Sequence, residues 1–278
     1  MQQHINSEIV WFQFELFAQL GPRISHGIFA RKGGVSHPPF ASLNAGPTVN
    51  DHSADLIENY RRIRATLPGH PLLVSAIPAQ GTDMIEITDQ MLGDHEGPAL
   101  ILPERIDALM TRLRGVGLFW AVADCSPMLV VDPVHEAIAM VHAGWRGTSR
   151  AIVVDAIHRM GQLYGSRPAD LFVGIGPTIG PCCYEVDEKV QAAFDSHPIA
   201  GMHARFSKLM VPDQVDTLGA SLRLDLAASN QAQLLSIGIP QKQIELSGFC
   251  TGCHRDLFFS NRMEGGRTGR YAAVLALL

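Results

Sequence analysis

Residues Val116–Thr148, VGLFWAVADCSPMLVVDPVHEAIAMVHAGWRGT, bring three apolar runs together in one short stretch of the chain. The runs are Phe119–Ala123, Met128–Val131 and Ala137–Val141. They are too continuous for strands with one face in water, so they predict two or three strands buried on both faces. Asp132–Glu136 separates the last two runs and has the composition of a turn.

Two reactive side chains, those of Cys125 and His142, lie where apolar runs give way to small residues. If the strands on either side of the turn are neighbours, the thiol and the imidazole converge. Such a pair forms either part of a metal site or a nucleophile–base pair. Asp124, next to Cys125, either orients His142 or caps a turn, and we favour the structural role.

The composition excludes several classes of protein. Hydrophobic residues make up 46% of the chain and charged residues 18%, which suffices for a sizeable core, and the net charge of −5 provides no basic surface for nucleic acid. Because the sequence has no run of 18 apolar residues and no secretory signal, we expect no membrane partner. Five cysteines form a poor disulfide framework, which predicts a cytoplasmic protein. Nothing in the sequence identifies an oligomeric partner.

The order of the predicted elements favours an α+β or layered fold. Amphipathic helices are predicted over Ser149–Tyr164 and Leu224–Ser236, and short strands over Leu171–Ile175 and Ile244–Phe249. Strands and helices mix without a strict βαβ rhythm, which argues against a doubly wound sheet. Since no linker-like stretch divides the chain, we predict a single domain over residues 1–278.

Five blocks of sequence carry a resemblance to a known family. They are Arg31–Ser36 with Ser42–Asn44, Gln80-Gly81, Ala123–Cys125 with His142–Gly147, Gly176–Tyr184, and Phe258–Arg262 with Gly269-Arg270. In these blocks the chain resembles the bacterial purine nucleoside phosphorylases first described as laccase-like polyphenol oxidoreductases. The resemblance implies an α/β/β/α sandwich, in which two mixed sheets are layered between helices.

The resemblance also implies an activity and a metal. It implies phosphorolysis of adenosine, inosine and methylthioadenosine, deamination of adenosine, and one zinc ion held by His, Cys and His. Cys125 and His142 match two of these ligands, but Gln80 stands where the family has its first histidine, in a Gln-x-His-Gly pattern. An amide oxygen is a weak zinc donor, so we expect zinc to be weakly bound or absent.

Phosphorolysis requires cationic groups that hold phosphate, and a guanidinium group binds two phosphate oxygens at once. Several arginines lie in the matching blocks. The same blocks contain Ser42 and Asn44, whose side chains can hydrogen-bond ribose hydroxyls or phosphate. We therefore predict catalytic roles for Arg31 and Arg262 beside Cys125 and His142, and substrate binding by Ser42, Asn44, Arg146 and Arg270.

Two rival functions follow from the same residues. One is a copper-dependent polyphenol oxidoreductase, which the absence of any His-x-His pair argues against. The other is a degenerate, non-enzymatic member of the family, because Gln80 replaces a metal ligand. Retention of Cys125, His142 and the arginines argues against this second rival.

Four further cysteines lie outside these predictions. Cys250-x2-Cys253-His254 is weak evidence for a zinc site, because a single pair of cysteines supplies too few ligands. The adjacent Cys182 and Cys183 are predicted to pack against the core, since two neighbouring side chains do not easily face one metal ion.

Overall fold

The computed structural model describes residues 1–6, 8–209 and 221–278. Its strands are β1 (Gln2–Asn6), β2 (Ile9–Gln13), β3 (Ile24–Phe29), β4 (Leu72–Ile77), β5 (Met84–Glu86), β6 (Ala99–Arg105), β7 (Ala108–Thr111), β8 (Val116–Val122), β9 (Ser126–Asp132), β10 (Ala137–Ala143), β11 (Phe172–Ile175), β12 (Glu185–Val186), β13 (Phe206–Leu209), β14 (Ser221–Leu224), β15 (Ile244–Leu246) and β16 (Tyr271–Leu277). Its α-helices are α1 (Ser53–Thr66), α2 (Asp89–Leu92), α3 (Trp145–Ser149), α4 (Ile152–Tyr164), α5 (Glu188–Asp195), α6 (Pro198–His203) and α7 (Leu226–Ser236), and 3-10 helices cover Glu15–Arg23, Pro168–Asp170 and Gln241–Gln243.

Two large sheets form the centre of the fold. The first has the strand order β1-β2-β3-β16-β8-β4-β6, and the second has the order β15-β11-β9-β10-β7-β5. Both sheets are mixed. In the first, β4 runs parallel to β6 and β8, whereas β16 runs antiparallel to β3 and β8. In the second, β11 runs parallel to β15 and antiparallel to β9. A small sheet, β12-β14-β13, lies beside them. In the part of the chain that the structure describes, no helix is both long and apolar enough to traverse a bilayer.

The alternation of side chains along the strands produces the layers. On β10, Ala139 and Val141 pack in the core that contains Ile152 of α4, whereas Ile138 and Met140 face the core between the two sheets. On the other side of the first sheet, α1 packs against Phe119 and its neighbours. The predicted α/β/β/α sandwich of mixed sheets is therefore confirmed, and strands buried on both faces account for the continuous apolar runs.

The quoted stretch forms β8, β9 and β10, as predicted. The turn between β9 and β10 forms because Asp132 Oδ1 accepts hydrogen bonds from the backbone N–H groups of Val134 and His135. The two strands pair antiparallel, with Pro127 opposite His142. His142 is the penultimate residue of β10, so it lies at the end of the strand and the sheet fixes its direction.

The two predicted helices are present with shifted starts. The segment predicted over Ser149–Tyr164 is divided between α3 and α4, because Ala151 adopts a left-handed conformation with φ of 57°. α7 begins after Asp225, whose side chain accepts a hydrogen bond from the backbone N–H of Ala228. This cap at the first turn explains why the helix does not begin at Leu224.

Acid sensitivity is expected from the buried side chain of His26. Burial, and to a smaller extent the charge of His4, lowers the pKa of His26 to about 4, and its Nε2 accepts the backbone N–H of Phe14. The unfolded chain therefore takes up a proton near pH 6.5 that the folded chain does not bind until about pH 4. Between these values the protein should lose about 3 kcal/mol of folding free energy through this one group.

Urea denaturation of the wild type and of His26→Gln at several pH values tests this expectation. Glutamine retains an acceptor for the Phe14 N–H but does not titrate. The variant should lose less stability than the wild type on acidification from pH 6.5 to pH 4. Identical pH dependence in the two proteins would contradict the assignment.

Candidate active site

The candidate site is formed where β8, β9 and β10 end. Cys125 lies in the connection between β8 and β9, and His142 is the penultimate residue of β10. The Cys125 thiol and the His142 imidazole line the same cavity. The ring of Trp120 packs against His142, with 5.7 Å between the ring centroids. The two side chains that the sequence predicts to converge therefore meet, because adjacent strands bring them to one edge of the sheet.

Asp107 completes this arrangement, and sequence reasoning did not identify it. Its Oδ1 lies 2.8 Å from Nδ1 of His142, and its carboxylate also accepts the backbone N–H groups of Gln80 and Gly81 at 3.0 and 2.7 Å. A carboxylate at Nδ1 fixes the orientation of the ring and leaves Nε2 available for a second partner. The signal available in the sequence was an aspartate immediately before the apolar strand β7.

The charges of these groups are coupled. Burial disfavours the imidazolium form of His142, but the neighbouring Cys125 sulfur and Asp107 carboxylate outweigh burial and raise the pKa of His142 to about 10. Burial likewise opposes the ionised form of Asp107, but hydrogen bonds from His142, Gly81 and Gln80 hold its pKa below the usual range. The Asp107 carboxylate and the Cys125 sulfur therefore both favour the protonated form of the imidazole.

Two neighbouring residues fix the position of Cys125. A Cβ on Gly144 would lie 2.9 Å from the Cys125 sulfur, so glycine leaves the space that the thiol occupies. Asp124 has a φ of 85°, and its carboxylate accepts hydrogen bonds from Thr251 Oγ1, Ser260 Oγ and the backbone N–H of Arg262. Asp124 therefore joins the connection between β8 and β9 to the connection between β15 and β16, which is the structural role favoured from the sequence.

Two cavities adjoin the Cys125 thiol. The first has a volume of about 340 Å³ and the second about 230 Å³, and both are lined by Gln80, Ala123, Cys125 and Asn261. The first is also lined by Arg105, Trp120, His142 and Arg270, and the second by Trp145, Arg146, Tyr184 and Arg262. Cationic and aromatic side chains thus surround the thiol on both sides.

Three of the four predicted arginines line these cavities, and Arg31 does not. The Arg31 guanidinium bonds the carbonyl oxygens of Ala41 and Arg255 and Oε1 of Glu264, and it lies 4.2 Å from the ring centre of Phe259. These contacts use its hydrogen-bonding groups within the protein. Arg105, which was not predicted, takes its place as a cavity-lining cation.

The side chains of Ser42 and Asn44 also form hydrogen bonds within the protein, to the backbone of nearby loops. Ser42 Oγ accepts the backbone N–H of Gly34 and donates to the Arg31 carbonyl. Asn44 is fully buried, and its Oδ1 accepts the backbone N–H groups of Gly46 and Arg270. Neither side chain lines the two cavities, although Asn44 holds the backbone of the cavity-lining Arg270.

Zinc does not fit the residues beside Cys125. The side-chain oxygen of Gln80 already accepts a hydrogen bond of 2.6 Å from Arg146. Among residues 1–6, 8–209 and 221–278, Cys125 and His142 belong to no group of three or more side chains of the usual ligand types. Zinc sites normally have at least three such ligands. Cys125, His142 and a Gln80 amide that is already bonded to Arg146 are therefore insufficient.

The four remaining cysteines meet at a different place. The sulfur atoms of Cys182, Cys183, Cys250 and Cys253 all lie within 4.8 Å of one another. Cys183 packs against the core, as predicted, whereas Cys182 is exposed. Cys182 and Cys183 therefore supply the second pair of thiols beside Cys250 and Cys253, which the sequence did not reveal.

The chain is similar to known proteins over most of its length. Residues 25–278 match the family described as multi-copper polyphenol oxidoreductase laccase. The chain belongs to this family. Family members that are 34% identical to it include the purine nucleoside phosphorylase YlmD of Geobacillus stearothermophilus, aligned over 90% of this chain and 88% of that protein. A purine nucleoside phosphorylase of Bacteroides thetaiotaomicron is also 34% identical, over 89% of each chain.

Solved structures of family members have the same fold. The crystal structure of YlmD from Geobacillus stearothermophilus superposes with a TM-score of 0.82 at 31% sequence identity, covering 99% of this chain and 98% of that one. The hypothetical protein YfiH of Bacillus licheniformis superposes with a TM-score of 0.81 at 31% identity, covering 99% of both chains. The layered architecture is therefore that of the laccase-like family along nearly the whole chain.

Proposed function

We propose that this chain is a purine nucleoside phosphorylase that acts on adenosine, inosine and methylthioadenosine. In this reaction phosphate attacks C1′ of the ribose, and the bond between C1′ and the purine nitrogen breaks. The products are the free base and the sugar 1-phosphate. The names of the relatives at 34% identity support this reaction class. The five free thiols are compatible with the reducing cytoplasm that we expect for the enzyme.

The Asp107–His142–Cys125 arrangement between two cavities is the observation that carries the proposal. The departing purine gains negative charge as the glycosidic bond breaks, and a proton donor stabilises it. His142 is held in its protonated form by its two neighbours, so the His142–Cys125 pair supplies that proton. Asp107 keeps the ring in place while its charge changes.

The arginines around the thiol provide the second requirement. Phosphate carries negative charge into a site that also contains the Asp107 carboxylate, so cations must offset the repulsion. Arg105 and Arg270 line the first cavity, and Arg146 and Arg262 line the second. In our proposal phosphate and nucleoside occupy the space on opposite sides of Cys125, and the reacting atoms meet beside the thiol.

The reaction is tested by incubating the protein with inosine and phosphate. Chromatography should detect hypoxanthine and ribose 1-phosphate in equal amounts. A control without phosphate separates phosphorolysis from hydrolysis. Absence of turnover with inosine, adenosine and methylthioadenosine would reject the proposal and favour the non-enzymatic alternative.

The phenol oxidase alternative is disfavoured by the side chains present. A multicopper centre requires many histidine ligands. The sequence contains no His-x-His pair, and in the described ranges the group of three or more potential ligands consists of cysteines. Incubation with copper and a phenolic dye should give no oxidation.

Adenosine deamination is expected to be weak in this chain, because the site beside Cys125 lacks the third metal ligand. Substitution of Gln80 by histidine should raise the affinity of this site for zinc by at least about tenfold. Zinc content after loading and desalting measures the change. The zinc content of proteins with glutamine or histidine at position 80 is compared in a Cys182→Ser/Cys253→Ser background. This background removes two thiols of the other cysteine cluster.

Gln80→Asn is the matched control for this substitution, because it also shortens the side chain and releases Arg146 but adds no metal ligand. Inosine formation from adenosine provides a second readout. Equal zinc content in Gln80→His and Gln80→Asn would show that residue 80 does not face a metal position.

A further inference from the structure

The four cysteines outside the active site are brought together by the second sheet. Strands β11 and β15 pair in parallel, with Ile175 opposite Leu246, so their C-terminal ends lie at the same edge. The turn after β11 contains Cys182 and Cys183, and the turn after β15 contains Cys250 and Cys253. A bridge between Thr178 and Cys250 continues the pairing beyond the strands. Two cysteine pairs that are distant in sequence therefore face each other.

The separations of the sulfur atoms match those around one small ion. Cys253 Sγ lies 3.4 Å from Cys182 Sγ and 3.6 Å from Cys183 Sγ, and all four sulfur atoms lie within 4.8 Å of one another. Four thiolates at the zinc–sulfur distance of 2.3 Å form a tetrahedron with edges of about 3.8 Å. The observed separations are far longer than a disulfide bond of about 2.05 Å. They are also too short to leave room for the inorganic sulfides of an iron–sulfur cluster.

The backbone around the sulfurs is shaped for this proximity. A Cβ on Gly252 would lie 2.9 Å from Cys183 Sγ, so a larger residue would displace that thiol. Cys250 Sγ accepts the backbone N–H of Gly180 at 3.1 Å. Hydrogen bonds of this kind stabilise a thiolate and orient it toward a metal. Cys182 and Cys253 are exposed, so an ion reaches the cluster directly from solvent.

Thiolates this close together repel one another. A divalent cation at the centre of the four sulfur atoms offsets this repulsion and displaces the thiol protons.

We infer that Cys182, Cys183, Cys250 and Cys253 bind one Zn²⁺ ion as a structural site distinct from the active site. The four thiols release their protons to solvent as the four zinc–sulfur bonds form. Four protein ligands leave no open position, which is typical of structural zinc and not of catalytic zinc. His254 is not required, since its Nδ1 bonds the Cys250 carbonyl oxygen.

The position of this cluster, here named the four-cysteine site, gives it a structural task. Thr251, between two of its ligands, donates to the Asp124 carboxylate at 2.6 Å, and Thr178 Oγ1 donates to the Asp124 carbonyl oxygen. Both turns that hold the cysteines therefore also hold the residue before Cys125. Zinc binding fixes these turns relative to each other and so stabilises the loop that carries the catalytic thiol.

Metal analysis of the full-length protein tests the inference. After loading with zinc under reducing conditions and desalting, the wild type should retain about one zinc ion per chain. Cys253→Ser removes the sulfur that contacts both Cys182 and Cys183, and it should lower zinc affinity at least about tenfold. Cys125→Ser is the matched control, because it removes the thiol of the active site and should retain the zinc.

Cobalt provides a readout that does not depend on activity or on stability. Cobalt-loaded wild type and Cys125→Ser should show the intense visible bands and sulfur-to-metal charge transfer of tetrahedral thiolate coordination, and Cys253→Ser should not. Iron in place of zinc, a protein mass showing disulfides after purification under reducing conditions, or loss of zinc in Cys125→Ser but not in Cys253→Ser would each overturn the inference. Neither readout involves nucleosides, so a failure here leaves the proposed phosphorylase activity to its own test.

Discussion

Replacing His142 with alanine is expected to lower kcat/KM for inosine phosphorolysis by about 100- to 10,000-fold. The imidazole is the group through which Asp107 and Cys125 are connected, and its raised pKa keeps a proton available beside the thiol. Without it the departing base has no positioned proton donor. Steady-state kinetics with inosine and saturating phosphate measure the loss, and thermal denaturation verifies that the variant is folded.

His135 provides a matched control within the same strand pair. It also contacts an aspartate, with His135 Nδ1 2.9 Å from Asp132 Oδ2, but it lies in the turn at the opposite ends of β9 and β10. His135→Ala should leave kcat/KM within about threefold of the wild type. Asp107→Asn removes the negative charge that stabilises the His142 imidazolium, so it should shift the pH profile of kcat. A purely structural role of Asp107 would leave the pH profile unchanged. A His142→Ala enzyme as active as His135→Ala would remove the proposed mechanism.

Asp124→Ala is expected to cost about 4 kcal/mol of folding free energy. The buried carboxylate accepts three hydrogen bonds from Thr251, Ser260 and Arg262, and alanine leaves all three donors without a partner. Alanine also adopts the left-handed conformation at this position less readily than aspartate does. Urea denaturation followed by tryptophan fluorescence measures the loss.

Asp124→Asn separates the contributions to this effect. Its side-chain oxygen still accepts from Thr251 and Ser260, but its amide group then faces the backbone N–H of Arg262. We expect Asp124→Asn to lose about 2 kcal/mol of folding free energy, because one of the three hydrogen bonds is replaced by a contact between two donor groups. A loss in Asp124→Ala no larger than that of an exposed substitution would show that the loops are held by other contacts.

The order of strands in the quoted stretch was predictable because it depends on local sequence. Apolar runs buried on both faces define β8, β9 and β10, and the Asp132 turn makes the last two neighbours. The meeting of Cys125 and His142 follows from that pairing. In this region the apolar runs and the turn chemistry predict the pairing of β9 with β10 from local sequence.

The remaining parts of the site depend on contacts between distant segments. Asp107 reaches His142 only because β7 pairs with β10, and the two cysteine pairs meet only because β11 pairs with β15. Neither pairing is encoded in a local pattern. Arg31 shows the converse: its block matches the family, but contacts with Glu264 and Phe259 direct its guanidinium away from the cavities.

The location of β16 has a consequence for how the molecule is assembled in the cell. This strand lies between β3 and β8 in the middle of the first sheet. Until β16 has been synthesised, β3 and β8 have unpaired inner edges, which are prone to associate with other chains. Completion of the sheet therefore depends on contacts of long sequence separation, such as the pairing of Ile28 with Ala273. Such a chain depends more on protection of its nascent form than a helical bundle of equal length would.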